Sequence, residues 1–302
     1  MSLQDNTIAY SLVIHRWGIK RQIKPGLLAS MLPGEKNLIE KKMLAASKRI
    51  IESPEYDKIV SRDGFASRWL VEHSVPSILK KGVYLIPTAF CEQVDEYMED
   101  YKNIRHNILL PSFLEKYLEQ VEFAQLLLGA DLWDSLEYPT VEKMQSLFAV
   151  ETSYITFDVP QNLKFVSDEL FRREKERVEH AWEEAEQAVN QILIEECSSL
   201  VEGLRCAVQG LNDGTQKYMK EAHIANLREW SELFLSARNV TENQELERVV
   251  QSIQATLTGV GREDLKQDRY SLRGFVQRSL EASQIELKGM LEALPERLIQ
   301  FD

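Results

Sequence analysis

The sequence predicts a mainly α protein, with a small three-stranded antiparallel sheet in an N-terminal head, long coiled-coil-like helices and a C-terminal helical bundle. Three observations predict it. Eight of the nine prolines lie at or before Pro160 and the ninth is Pro295, so residues 161–294 lack the residue that breaks helix interiors. Behind Pro160, apolar residues recur in steps of three and four; ahead of it, three short segments alternate with a period of two. The expected division is a mixed head over 1–160 and a long helix with an antiparallel bundle over 161–302.

The first strand is expected at Thr7 to His15, where Ile8, Tyr10, Leu12 and Ile14 alternate with Ala9, Ser11 and Val13, with a continuation past Trp17 toward Ile23. Val83 to Ile86, stopped by Pro87, and Ser153 to Val159, stopped by Pro160, supply the other two. A lone strand leaves its backbone groups unpaired, so the three are expected in one sheet. Glu35 to Glu52 reads as a helix on Leu38, Ile39, Met43, Ala46 and Ile50, with Ser53-Pro54 ending it and capping the next. Thr88 to Leu109 carries Val94, Tyr97 or Met98, Tyr101, Ile104 and Ile108 on one stripe. Pro111 interrupts, and Ser112 to Leu128 resumes as a kinked helix or helical hairpin. Thr140 caps a short helix to Phe148.

Ser167 opens a capped, acidic helix start that runs to about Leu211, roughly 65 Å at about 1.5 Å per residue. Leu193, Cys197, Leu200, Leu204, Ala207 and Leu211 step by 4, 3, 4, 3, 4, and Val178, Trp182, Ala185, Val189 and Ile192 continue the seam upstream. Trp182, Val189, Leu193, Leu200, Leu204 and Leu211 are its expected packing residues. Partner helices are expected on Leu227, Trp230, Phe234 and Ala237; on Leu246, Val250, Ile253 and Leu257; and on Val276, Leu280, Ser283, Leu287, Met290, Leu294 and Leu298, with turns at 212–215, 239–243 and 259–263.

Net charge is −12, which excludes a protein that coats nucleic acid or anionic membrane over its whole surface. The charge is unevenly spread: residues 1–81 carry 14 Lys/Arg against 8 Asp/Glu, and residues 82–159 carry 4 against 14. Three cysteines without a CxxC pair exclude a disulfide scaffold and a Cys-rich zinc module, and fit a reducing compartment. No apolar run reaches membrane-spanning length and the first residues do not form a secretory leader, so a cytoplasmic location with no membrane partner is expected.

Reactive constellations are sparse. No GxxxxGK[ST] loop exists, and Gly259-Val-Gly261-Arg262 reads as helix punctuation. Glu176, Glu179, His180, Glu183 and Glu184 share a face of the long helix, but the later helices offer only His223 toward a metal site, so the face is read as solvated and paired at i, i+3 and i+4. There is no GxSxG elbow, and Cys197 and Cys206 read as small packing residues. No catalytic residue, cofactor or metal is assigned. One surface stands out. Arg16, Lys20, Arg21 and Lys24 flank Trp17, and Lys41, Lys42, Lys48 and Arg49 follow on the expected first helix, so cations and an aromatic interleave as a nucleic-acid or acidic-partner surface requires.

Four segments together carry a family likeness: Ser11-Leu-Val-Ile-His-Arg-Trp17, the Lys-rich Lys36-Asn-Leu-Ile-Glu-Lys-Lys42, Gly82-Val-Tyr-Leu-Ile-Pro87, and Tyr154 to Val159 ahead of a long helix. In order and spacing, over roughly the first 200 residues, the chain resembles proteins that phages, plasmids and integrative elements encode beside a MoxR- or CobS-like AAA+ ATPase and a von Willebrand factor A (VWA) domain protein. The resemblance implies partners and no active site. The expected function is a non-enzymatic adaptor or scaffold acting with such an ATPase and VWA partner, or self-associating. The alternatives are a nucleic-acid-binding accessory protein using the basic region, and a mobile-element inhibitor of a host defence system.

Overall fold

The computed structural model describes residues 3–24, 27, 46–75, 80, 82–212, 219–267 and 271–294. In chain order they form α1 (Leu3–Asn6), β1 (Thr7–Ile14), β2 (Lys20–Gln22), β3 (Ser47–Arg49), α2 (Pro54–Glu72), β4 (Val83–Pro87) and α3 (Cys91–Ile104). There follow α4 (Leu110–Leu132), α5 (Val141–Ser146), β5 (Val150–Ile155), α6 (Asp168–Asn212), α7 (Glu221–Leu233), α8 (Gln244–Leu257), α9 (Arg262–Gln267) and α10 (Leu272–Ala293). The mainly α class with one small three-stranded antiparallel sheet is as the sequence predicts. Its strand order is β4-β1-β5, and Thr7 to Ser11 pair antiparallel with Pro87 to Val83. Among the described residues, no helix is long and apolar enough to cross a membrane.

The chain divides into two compact units, residues 1–11, 70–92 and 154–302, and residues 12–69 and 93–153. This differs from a cut at residue 160. Leu3, Ala9, Val75, Val83 and Leu85 share one apolar core with the seam of α6, so the first strand up to Ser11 and β4 belong with the bundle.

In the first unit α6 packs on α7 and α10, and α8 packs on α7 and α10. Ser167 caps α6, its Oγ accepting from the Leu170 amide at 3.2 Å. The buried stripe of α6 is Ala185, Val189, Leu193, Cys197, Val201, Leu204 and Val208. Of the expected seam, Val189, Leu193 and Leu204 are buried, whereas Trp182 and Leu200 are only half-buried, because a straight 3.6-residue period turns the burial from Leu200 onto Val201. The side chain of Leu211, and Leu298, lie outside the described residues. Leu227, Trp230 and Phe234, then Leu246, Val250, Ile253 and Leu257, then Val276, Leu280, Ser283 and Leu287 are buried as their spacing requires. The 259–263 turn holds Gly259 at φ 72°, a left-handed position that glycine adopts without Cβ strain, and leads into α9, a short helix the sequence reading missed.

The second unit has a separate core around Trp17, Ile51, Tyr56, Phe113, Tyr117 and Phe148. Two expectations fail here. The first strand does not continue past Trp17; it stops at Ile14, and residues 20–22 form a two-stranded ribbon with 47–49. The helix expected over Glu35 to Glu52 is therefore not helical at its end, since Ser47–Arg49 has a strand partner in Lys20–Gln22. Residues 28–45 lie outside the described set, and with them Lys41 and Lys42. Ser53 and Pro54 do start the next helix, with Ser53 Oγ accepting from the Tyr56 amide at 3.1 Å. Pro111 does not divide the chain into a hairpin. A wide π turn over Arg105–Leu109 joins α3 to α4 and absorbs the missing proline N–H, and α4 itself breaks at Gly129, φ 62°. β5 starts three residues earlier than expected, where the His15 amide donates to Ala149 O at 2.8 Å and sets the pairing.

Candidate functional site

The β2–β3 ribbon is a concentration of positive charge. Its register sets Lys20 opposite Arg49 and Arg21 opposite Lys48, two cross-strand pairs of like sign. Because side chains alternate along a strand, the two pairs face opposite ways. Arg21 and Lys48 are half-buried and compensated locally. Lys48 Nζ sits 2.6 Å from Glu137 and donates to Leu132 O, while Arg21 donates to Gly18 O at 2.6 Å and Lys20 O at 3.0 Å. Lys20 and Arg49 are exposed and, with Arg16, line a cavity of about 570 Å³. Ile14, Ile19 and Val60 form apolar wall, and the one carboxylate in the lining, Asp57, pairs with Arg49 at 2.8 Å. Lys20 has no carboxylate within ion-pair distance among the described residues.

Beneath this cavity lies a buried ionic cluster. Asp63 accepts from Arg105 Nε at 2.8 Å and from the Tyr101 hydroxyl at 2.7 Å, with Arg16 Nε 3.6 Å away. Arg105 is fully buried and spends its remaining N–H groups on Phe148 O at 2.8 Å and His15 O at 2.9 Å. Burial, reinforced by Asp63, pushes the Tyr101 hydroxyl far above its usual range. Every polar group being paired inside the fold, the cluster reads as a structural pin that orients the chain entering the ribbon. Sequence reasoning missed it. The signal was Arg105, at the start of the π turn, continuing the buried stripe of Val94, Met98 and Tyr101 on α3 in place of the expected Ile108, which is exposed.

The other expected surface residues are placed as follows. Trp17 is 3% exposed, its ring edge-on to Tyr117 at 5.8 Å, so it is part of the core and meets the cavity only as lining. Among the described residues its indole N–H has no hydrogen-bond acceptor, and its carbonyl accepts from the Tyr56 hydroxyl at 2.7 Å. Lys24 is exposed beyond the ribbon. The structure thus brings Arg16, Trp17 and Lys20 together with Arg49, and turns Arg21 away.

On α6, His180 lies 3.7 Å from Glu184, and Lys175 pairs with Glu179 at 3.5 Å, all exposed. Among the described residues no group of three or more His, Cys, Asp and Glu is placed to hold a metal ion. The cysteines are separate environments. Burial, with Glu196 adding to it, pushes the Cys197 thiol up to about 12, while Cys206 donates to Glu202 at 3.2 Å. Hydrogen bonds from Arg205 hold that Glu202 carboxyl down to about 2.

No protein-family model, no curated protein and no solved structure matches the chain.

Proposed function

We propose that the chain is a non-enzymatic helical interaction protein, an adaptor that engages a partner helix along the N-terminal part of α6. The observation that carries this reading is an unfinished seam. From Asp168 to Glu184, about 25 Å of helix, no side chain is buried, yet Leu170, Phe171, Val178, Ala181 and Trp182 form a half-buried apolar stripe in register with the buried one that begins at Ala185. Within its own unit this stretch has Phe157 edge-on to Trp182 at 6.3 Å and Lys164 Nζ 4.6 Å over the Phe171 ring, and Phe165 and Val166 at its foot are 92% and 76% exposed. An apolar stripe of this period is what a second helix packs against in a two-helix seam.

The partner class that the resemblance in the first 200 residues implies is a MoxR- or CobS-like AAA+ ATPase acting with a VWA-domain protein. Light scattering of the chain alone and mixed with that ATPase tests the proposal. The expected result is a complex that Phe171→Asp with Val178→Asp abolishes while helix content by circular dichroism stays unchanged. A complex of unchanged mass with the doubly substituted chain, or no complex with the unsubstituted one, would contradict it.

A further inference from the structure

We infer that the cavity beside the β2–β3 ribbon is a binding site for a phosphate group carried on a small molecule. The inference stands apart from the α6 seam and rests on a charge imbalance built into the second unit. Among the described residues, three cations, Arg16, Lys20 and Arg49, line the cavity against the single carboxylate of Asp57. Asp57 is taken by Arg49 at 2.8 Å. Asp63, the acid nearest Arg16 at 3.6 Å, already holds Arg105 at 2.8 Å and the Tyr101 hydroxyl at 2.7 Å. Lys20 is left facing Arg49 across the ribbon, like charge against like charge.

Opposed cations on neighbouring strands repel, and a fold that sets them on one rim of a cavity is relieved when an anion enters between them. After the internal pairings, the uncompensated charge is that of Lys20 and most of that of Arg16. A phosphate monoester carries about −1.5 to −2 at neutral pH, which matches that excess, whereas a carboxylate supplies half. Guanidinium forks also suit phosphate oxygens in paired geometry, and Lys20 adds a point charge.

Size and lining indicate what else the ligand carries. The depression is largely open to solvent, and its volume of about 570 Å³ exceeds what a bare phosphate fills. The apolar wall of Ile14, Ile19 and Val60, together with the Tyr56 ring, leaves room for an uncharged body next to the anion. The floor is fixed: Tyr56 is hydrogen-bonded to the Trp17 backbone, and the Asp63–Arg105 cluster holds the carbonyl of His15 one residue before Arg16. The cations are thus mounted on a rigid base, which lowers the ordering cost of binding.

Calorimetric titration of the full chain with inorganic phosphate, with acetate, and with a single-stranded oligonucleotide lacking a terminal phosphate tests the site. The expected result is saturable 1:1 phosphate binding that weakens with salt, at least about tenfold weaker acetate binding, and an about tenfold loss of phosphate affinity in Lys20→Gln. Lys20 is exposed and its side chain makes no hydrogen bond or ion pair among the described residues, so this variant should melt as the unsubstituted protein does. Arg16→Gln provides a second reading on another lining cation and should weaken phosphate similarly. Absence of saturable phosphate binding, equal affinity for acetate, or phosphate binding that Lys20→Gln and Arg16→Gln leave intact would overturn the proposal. Oligonucleotide binding without phosphate binding would overturn it too, and would assign the ribbon to an extended polyanion surface instead.

Discussion

The two compact units are held together by different chemistry. The first has an aliphatic core where Val189, Leu193, Val201, Leu204, Leu227, Val250, Ile253 and Leu280 meet; of its two buried arginines among the described residues, Arg238 pairs at 3.1 Å with Glu196, whose carboxylate is one-third exposed, and Arg273 donates to the backbone carbonyls of Leu265 and Lys266. The second has a core of rings around Trp17, Tyr56, Phe113, Tyr117 and Phe148, and beside it an ion pair, Asp63 with Arg105, that is almost wholly out of water. Non-directional apolar packing tolerates modest change, whereas a buried ion pair is stable only while every partner is present. The first unit is thus built to hold a long helix straight, and the second to hold a charged ribbon in one geometry.

The sharpest way to break the comparison is Asp63→Ala. Removing the carboxylate leaves Arg105 charged and without its counter-ion in the interior, an expected cost of about 3–5 kcal/mol in urea denaturation. A loss under about 1 kcal/mol would mean that the cluster contributes no more than a surface pair. Next in size is the seam. Leu204→Ala should cost about 3 kcal/mol, while Leu200→Ala, four residues earlier and half-buried, should cost about 1 kcal/mol. Equal losses would restore the strict three-then-four seam in place of the one that shifts onto Val201. Smallest is Ser167→Ala, which removes the Oγ that accepts from Leu170 and should lower stability by about 1 kcal/mol, visible as fraying at the start of α6.

The same contrast explains what could be read in the sequence. The span of α6 and the helices behind it were legible because an aliphatic seam writes its period into consecutive residues and Ser167 announces the start of α6; in the second unit only helix starts, at Thr140 and Ser53, were announced locally. The second unit was not legible in that way. Its defining cluster joins His15, Asp63, Tyr101, Arg105 and Phe148, residues with no common period, and a charged residue on an apolar stripe reads as an interruption until its partner is known. The ribbon was missed for a related reason. Ser47–Arg49 has no strand propensity of its own and is a strand only because Lys20–Gln22 pairs with it. The candidate site was half visible: Arg16 and Lys20 were evident as a basic cluster, but the cavity between them and Arg49 depends on that pairing, and Trp17 turned inward as core.

Residue-resolved hydrogen exchange on Asp63→Ala tests most directly that the two units are stabilised by different means. The expected result is loss of amide protection across residues 12–24, 46–69 and 93–153, with protection along the buried half of α6 and in α8 and α10 kept close to that of the unsubstituted protein. Equal loss of protection in α6, α8 and α10, or full retention around Asp63 and Arg105, would contradict it.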